Sequence, residues 1–171
     1  MATHISPDFA HKSWWQISEV VFGLPFLAAV VLHLAIPLSL PDTFLVPGIY
    51  IVGFFFILAG IVFIVLARRE LRYYSQPTDP ARPTTRIVTS GVFSLTRNPI
   101  YLGAVCFLAG VALLFDLLWV LIFLLPSIIA CHFVLIKPEE RYLAAKFGEE
   151  YRVYAAKVHR WIGHTQFPPE R

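Results

Sequence analysis

The sequence predicts an all-α fold: a polytopic membrane helical bundle of four transmembrane helices plus a C-terminal amphipathic cytoplasmic helix. Three observations carry this. Of the 171 residues, 57% are hydrophobic and only 15% charged, where a soluble domain carries about a quarter; mean hydropathy is +0.67. The charges are clustered, leaving four charge-free stretches between Glu19 and Asp42, Asp42 and Arg68, Arg97 and Asp116, and Asp116 and Lys137, of 22, 25, 18 and 20 residues. A helix needs about 20 apolar residues to cross the hydrocarbon core. Finally, the basic residues alternate between loops in the way that orients a membrane chain.

The first span covers about residues 18–40. Its apolar run begins near Val20 and exceeds the h-region of a signal peptide, so a cleaved leader is not expected. Pro25 and Pro37, like Pro126 further on, are tolerated because neighbouring groups satisfy freed carbonyls. His33 is a polar side chain at membrane depth, read as a hydrogen-bonded packing residue or a functional one. The second span, about 47–67, shows no alternation through Ile49–Leu66 and is therefore a helix, not a barrel strand.

The loop 68–97 breaks regular structure at Gln76-Pro77-Thr78-Asp79-Pro80-Ala81-Arg82-Pro83. Thr84–Thr89 reads as a short extended segment, and Ser90-Gly91 as a turn. Such a loop, held against a bundle, offers backbone amides and carbonyls to a polar ligand at the membrane surface. The third span, about 98–115, carries Gly103, Ala104, Ala109 and Gly110, small residues that permit close helix contact but are also common in membrane helices. Phe115-Asp116-Leu117 must turn the chain directly into the fourth span, about 117–136, making a tight antiparallel hairpin. The helix expected over 138–161 starts at Pro138, which suits a first helical turn, and carries an apolar stripe of Leu143, Phe147, Tyr151, Tyr154 and Val158, with Gly148 as a weak point. Residues 1–171 thus read as one membrane domain.

Of 14 Lys and Arg, six lie in the middle loop and seven follow the fourth span. The positive-inside rule places that loop and both termini in the cytoplasm, and an even span count agrees. A prokaryotic inner membrane is the expected setting. The pI near 9.0 reflects this bias toward the inner leaflet and not nucleic-acid binding. Cys106 and Cys131 both fall inside spans and read as buried free thiols. Neither they nor the six histidines show metal-ligand spacing, so no metal site is expected. Gly-x-Gly-x-x-Gly after a strand, Walker, His-Glu-x-x-His and Gly-x-Ser-x-Gly motifs are all missing.

Two polar clusters remain, and the hairpin brings them together on the cytoplasmic face. One runs from Gly91 through Arg97 to Gly103 into the third span. The other, Lys137-Pro138-Glu139-Glu140-Arg141-Tyr142-Leu143, leaves the fourth. Read as plain structure, Arg97 and Arg141 pair with Glu139 and Glu140 at the hairpin base.

In order and spacing these clusters resemble the isoprenylcysteine carboxyl methyltransferase and phospholipid methyltransferase family of integral membrane methyltransferases. The resemblance rests on Gly91-Val92-Phe93, Arg97-Asn98-Pro99-Ile100-Tyr101-Leu102-Gly103, Glu139-Glu140-Arg141-Tyr142-Leu143, Phe147-Gly148-Glu149-Glu150-Tyr151-Arg152-Val153-Tyr154 and Arg160-Trp161-Ile162, over about residues 68–162. It implies an S-adenosyl-L-methionine-dependent methyl transfer to a lipophilic or amphiphilic acceptor at the cytoplasmic membrane face. It also implies a cofactor pocket capped by the loop and the C-terminal helix. Thr85, Arg86, Ile87 and Val88 would contact the cofactor largely through backbone, and Phe93 would form an aromatic wall. Asn98, Pro99, Ile100 and Tyr101 would line the mouth of the third span. Glu139 would hold the cofactor's cationic end, with Thr78 a lesser contact. His132 and Glu140 stand as candidates on the acceptor side; no general base is assigned. The family's prenylcysteine enzymes carry His at the place of Asn98 and Arg at that of Leu135. The acceptor therefore stays open between a lipidic thiol, a carboxylate and a phospholipid amine. A rival reading is an NADPH-dependent reductase of the sterol-reductase type, which shares a similar C-terminal half. Another is a non-catalytic protein that kept the fold.

Overall fold

The computed structural model describes residues 18–41, 47–77 and 83–163. Those residues are helical, with irregular connections and no strand. Glu19–Gly23 is π-wound and runs into α1 (Leu24–Ala35). Helix α2 is Pro47–Tyr73, and a 3₁₀ turn at Gly91–Ser94 precedes α3 (Pro99–Leu114). Helix α4 (Leu118–Ala130) passes through a π-wound stretch, Cys131–Ile136, into α5 (Lys137–Phe147); α6 is Glu149–Lys157.

Among the described residues two helices are long and apolar enough to cross a bilayer: Pro47–Tyr73 and the continuous Leu118–Phe147. Glu19–Ala35 and Pro99–Leu114 are shorter apolar helices. Only 11% of the apolar window of α2 is buried, and its outward side chains, Phe54, Phe55, Ile51 and Val65 among them, are exposed. In water such a surface would drive aggregation; facing acyl chains it costs nothing.

What α2 does bury is a row of small residues, Gly53, Gly60 and Ala67, seven apart and so on one face. They lie against Gly103 and Gly110 of α3. A Cβ built on Gly60 would stand 2.6 Å from both the Gly103 carbonyl oxygen and the Phe107 nitrogen, and one on Gly110 2.6 Å from the Gly53 oxygen. The two helices therefore touch backbone to backbone, where dispersion contacts and weak Cα–H···O bonds replace the missing hydrophobic drive. Helix α1 packs on α4, with Ala29 of α1, Ala112 of α3 and Val120 of α4 forming one buried cluster.

At the end away from the arginine-rich loop the hairpin turn is pinned. Asp116 adopts φ 54°; its Oδ1 accepts the Leu40 N–H at 2.6 Å, and Trp119 Nε1 donates to the Ile36 carbonyl at 2.9 Å.

The structure places several elements differently from the sequence reading. No helix starts afresh at Pro138: α4 and α5 are one helix across it. The π winding explains this, since the Lys137 N–H donates to the His132 carbonyl five residues back, and the wider turn gives the proline ring room where an α turn would clash. The expected 138–161 helix is instead cut at Gly148, whose φ of 55° and ψ of −120° suit only glycine. The apolar stripe survives the cut. Tyr151, Tyr154 and Val158 bury Ile87 of the loop, with Leu143 and Phe147 packed alongside. Thr84–Thr89, read as a short extended segment, takes part in no helix or strand. Both cysteines are free, Cys131 buried and Cys106 half-buried.

Candidate cofactor cavity at the loop face of the bundle

Four chain segments converge at the loop face. Gln76, just past the end of α2, is buried and works as a staple. Its Oε1 accepts the backbone N–H groups of Thr85 (2.8 Å) and Arg86 (3.2 Å), while Nε2 lies 2.9 Å from the Tyr74 carbonyl and 2.8 Å from Thr85 Oγ1. These bonds occupy the amides of Thr85 and Arg86 and set the path of Ile87 and Val88. Further on, Ser90 Oγ donates to Glu70 Oε1 at 2.5 Å. Gly91, at φ 58°, sits so close that a Cβ there would meet the Glu70 carboxyl at 2.9 Å.

The C-terminal segment closes the other side. Tyr154 Oη donates to the Phe93 carbonyl at 2.7 Å. The Arg160 carbonyl accepts from Thr96 Oγ1 (3.0 Å) and Asn98 Nδ2 (2.9 Å), and the Arg97 N–H donates to the His159 carbonyl at 3.0 Å. Asn98 is thus both wall and fastener, its amide holding the C-terminal segment.

Between these parts lies a cavity that opens to the surface and is lined by both polar and apolar side chains. Of the residues the sequence singled out, Arg86, Ile87, Val88, Phe93, Asn98, Pro99, Ile100, Tyr101, Glu139 and Glu140 all line it. Thr85 does not; its side chain turns to Gln76. His132 also lies elsewhere, edge-on to Phe133 at 5.0 Å in the π-wound stretch, and Thr78 lies outside the described residues. The sequence reading missed Ser18, Leu71, Gln76, Arg97, Tyr151 and Tyr154, which also line the cavity. Tyr151 and Tyr154 stood in the apolar stripe and in the motif that carries the resemblance but were given no cavity role; Gln76 carried no signal beyond its place at a helix end.

The ion pairing follows the expected one for Arg97 and departs from it for Arg141. Glu140 takes both arginines, Arg97 Nη1 at 3.1 Å and Arg160 through Nε and Nη2, each at 2.8 Å, and the bond to Glu140 raises the proton affinity of the Arg160 guanidinium above its ordinary value. Arg141 is exposed on the far side of the helix. Glu139 is left without a cation among the described residues and accepts only from Tyr101 Oη at 3.2 Å. The apolar part of the long helix ends at Ile136, so Glu139 stands just beyond it. Burial pushes its carboxyl up to about 7, against the opposing pull of the Tyr101 bond. Burial likewise pushes the Tyr151 hydroxyl up to about 12, so both tyrosines of α6 stay neutral. Chemically, the cavity combines aromatic walls with one carboxylate that lacks a counter-charge. No group of three or more metal-binding side chains occurs among the described residues.

A family model described as phospholipid methyltransferase matches residues 49–150. No curated protein and no solved structure matches the chain.

Proposed function

The chain belongs to the phospholipid methyltransferase family, a family of membrane methyltransferases, and we propose that its cavity binds S-adenosylmethionine and passes the methyl to a lipophilic or amphiphilic acceptor. The bundle spans the bilayer four times in this reading, over about residues 18–40, 47–67, 98–115 and 117–136. The arginine-rich loop and both termini lie in the cytoplasm. Soluble cofactor and membrane-borne acceptor then meet at the inner interface.

One observation carries the proposal: Glu139 faces the cavity as a carboxylate with no cationic partner among the described residues. Leaving a carboxylate unpaired in a partly dry site is costly unless a ligand brings the cation. A sulfonium with an α-ammonium supplies it, and the aromatic faces of Phe93, Tyr101, Tyr151 and Tyr154 favour a cation in the same space. Bound there, the cofactor supplies an already activated methyl. The protein then has to align donor and acceptor and keep water out. Glu139 fixes the donor's charge, and the loop from Thr84 to Val88, held by Gln76, closes over it. NADPH fits less well, because its phosphates ask for several free cations where Glu140 already holds Arg97 and Arg160.

A phospholipid amine is the second reading for the acceptor. Leu135, fully buried, stands where a carboxylate acceptor would need a cation. The test is thermal stabilisation of the purified protein in detergent by S-adenosylhomocysteine against NADPH, followed by transfer of labelled methyl into a membrane lipid extract. Stabilisation by NADPH alone would sink the proposal.

A further inference from the structure

A second charged surface lies outside the cavity, at the loop end of α2. The 27 residues of α2 rise about 40 Å, whereas the hydrocarbon core is about 30 Å thick. About 20 residues cross that core, so the turns over residues 67–73 stand in the headgroup layer. Three arginines fall there, Arg68, Arg69 and Arg72, all exposed. None of their guanidiniums has an ion pair or hydrogen bond among the described residues. The one acid of α2, Glu70, is turned to the loop and takes the Ser90 hydroxyl.

Exposed arginines in water need no partner, and such a cluster is ordinarily a solvated face. Its placement separates this one from that case. Leu58, Ile61, Val62 and Val65 are exposed and recur at helical spacing. Arg69 and Arg72 continue the same stripe four and seven residues past Val65, and Arg68 lies one turn before Arg72. The buried face of α2, through Gly53, Gly60 and Ala67, is the opposite one. The face that acyl chains cover therefore runs straight into three guanidiniums. Tyr73, 78% exposed, stands beside them, at the depth where interfacial aromatics sit.

We infer that this end of α2 is a binding site for an anionic phospholipid, with an acyl chain along the apolar stripe and the phosphate on Arg68, Arg69 and Arg72. A guanidinium offers phosphate oxygens two parallel N–H donors. A headgroup that balances its phosphate with its own ammonium brings a cation against three others, so a net negative headgroup is preferred. The site is separate from the cavity, which α2 reaches through Leu71 on another face. The same end of α2 also holds the loop: Glu70 takes Ser90, and Gln76 takes the Thr85 and Arg86 amides. Lipid on the arginines steadies the helix end from which that loop hangs.

The test is native mass spectrometry of the detergent-purified full chain, titrated with dioleoyl phosphatidylglycerol, dioleoyl phosphatidylcholine or inorganic phosphate. An arginine near an anionic headgroup is worth roughly fivefold in affinity. The wild type should therefore prefer phosphatidylglycerol over phosphatidylcholine by about tenfold or more. The triple variant Arg68→Gln, Arg69→Gln, Arg72→Gln should bring the two lipids within about threefold. The double variant Arg141→Gln, Arg152→Gln removes two equally exposed cations elsewhere and should keep the preference. Equal binding of both lipids by the wild type overturns the inference, as does a preference that survives the triple variant or disappears with the double one. Displacement of phosphatidylglycerol by an equal concentration of inorganic phosphate also overturns it, because the arginines would then read phosphate and not lipid. Should the triple variant fail to fold, Arg72→Gln alone, with a loss of about fivefold, decides. Each outcome stands whether or not the cavity takes S-adenosylmethionine.

Discussion

The hydroxyl of Tyr101 on α3 donates to the carboxylate of Glu139 on α5 at 3.2 Å, and this bond joins the two sequence clusters that the hairpin brings together. The bond lowers the proton affinity of a carboxyl that burial raises. It keeps Glu139 near the point where a cationic ligand can ionise it.

Ligand binding should therefore depend on pH. A cation favours ionised Glu139, and in the free protein that carboxyl titrates at about 7. Below this value binding must also expel a proton, so affinity for S-adenosylmethionine should fall by up to about tenfold per pH unit. Calorimetry from about pH 5.5 to 7.5 checks this. Glu139→Gln should bind weakly with a flat profile.

The unliganded protein should show the opposite trend in stability. For Glu139 the folded pKa of about 7 lies above the unfolded value near 4.5. Its contribution is complete below the unfolded value and is lost as pH rises through the folded one. At pH near 8 Glu139→Gln should melt higher than the wild type, by at most about 3 kcal/mol, since the carboxyl faces an open cavity. Near pH 4.5 the two should converge.

Tyr101→Phe removes the one hydrogen bond that Glu139 accepts among the described residues while keeping the ring. The carboxyl should then titrate higher still, moving the binding midpoint to more alkaline pH. Affinity near neutrality should drop about tenfold. An unchanged midpoint would separate Tyr101 from the titration.

Gly60→Ala tests the contact between α2 and α3. Its Cβ would meet backbone atoms of Gly103 and Phe107 at 2.6 Å, and backbone cannot swing aside as a flexible side chain can. The helices must part, which should cost about 1–3 kcal/mol or more in detergent. Gly23→Ala, with nothing within 4 Å of the new Cβ, is the matched control and should melt like the wild type.

Gln76→Ala should leave the bundle intact and loosen the loop. Two backbone amides and the Tyr74 carbonyl lose their partner. KM for S-adenosylmethionine should rise about tenfold, with KM for the acceptor barely changed. Equal losses in both, with a lowered melting temperature, would mark Gln76 as purely structural.

Much of the bundle was legible because lipid imposes a simple rule, and long charge-free stretches announce it. The cavity was legible where its residues cluster along the chain, as Asn98–Tyr101 and Glu139-Glu140 do. What stayed hidden depends on distance in sequence. Gly53 and Gly60 are scattered among phenylalanines and isoleucines, so nothing marked them as partners of Gly110 and Gly103. Gln76 acts on Thr85 and Arg86 across a loop whose path only the fold supplies. The pairing of Glu140 with Arg160 was missed because Arg141, adjacent in sequence, projects from a different face of the helix. At Pro138 local propensity misled, because π winding is a tertiary accommodation that residue preferences do not announce.

The continuity of Leu118–Phe147 past Pro138 has a mechanical meaning. A helix long and apolar enough to cross the acyl chains is also the rod that carries Glu139. Tilt forced on it by a thicker or thinner bilayer moves the carboxylate with it, while Tyr101 rides on the shorter α3. A change of hydrocarbon thickness should therefore alter the gap between those two side chains.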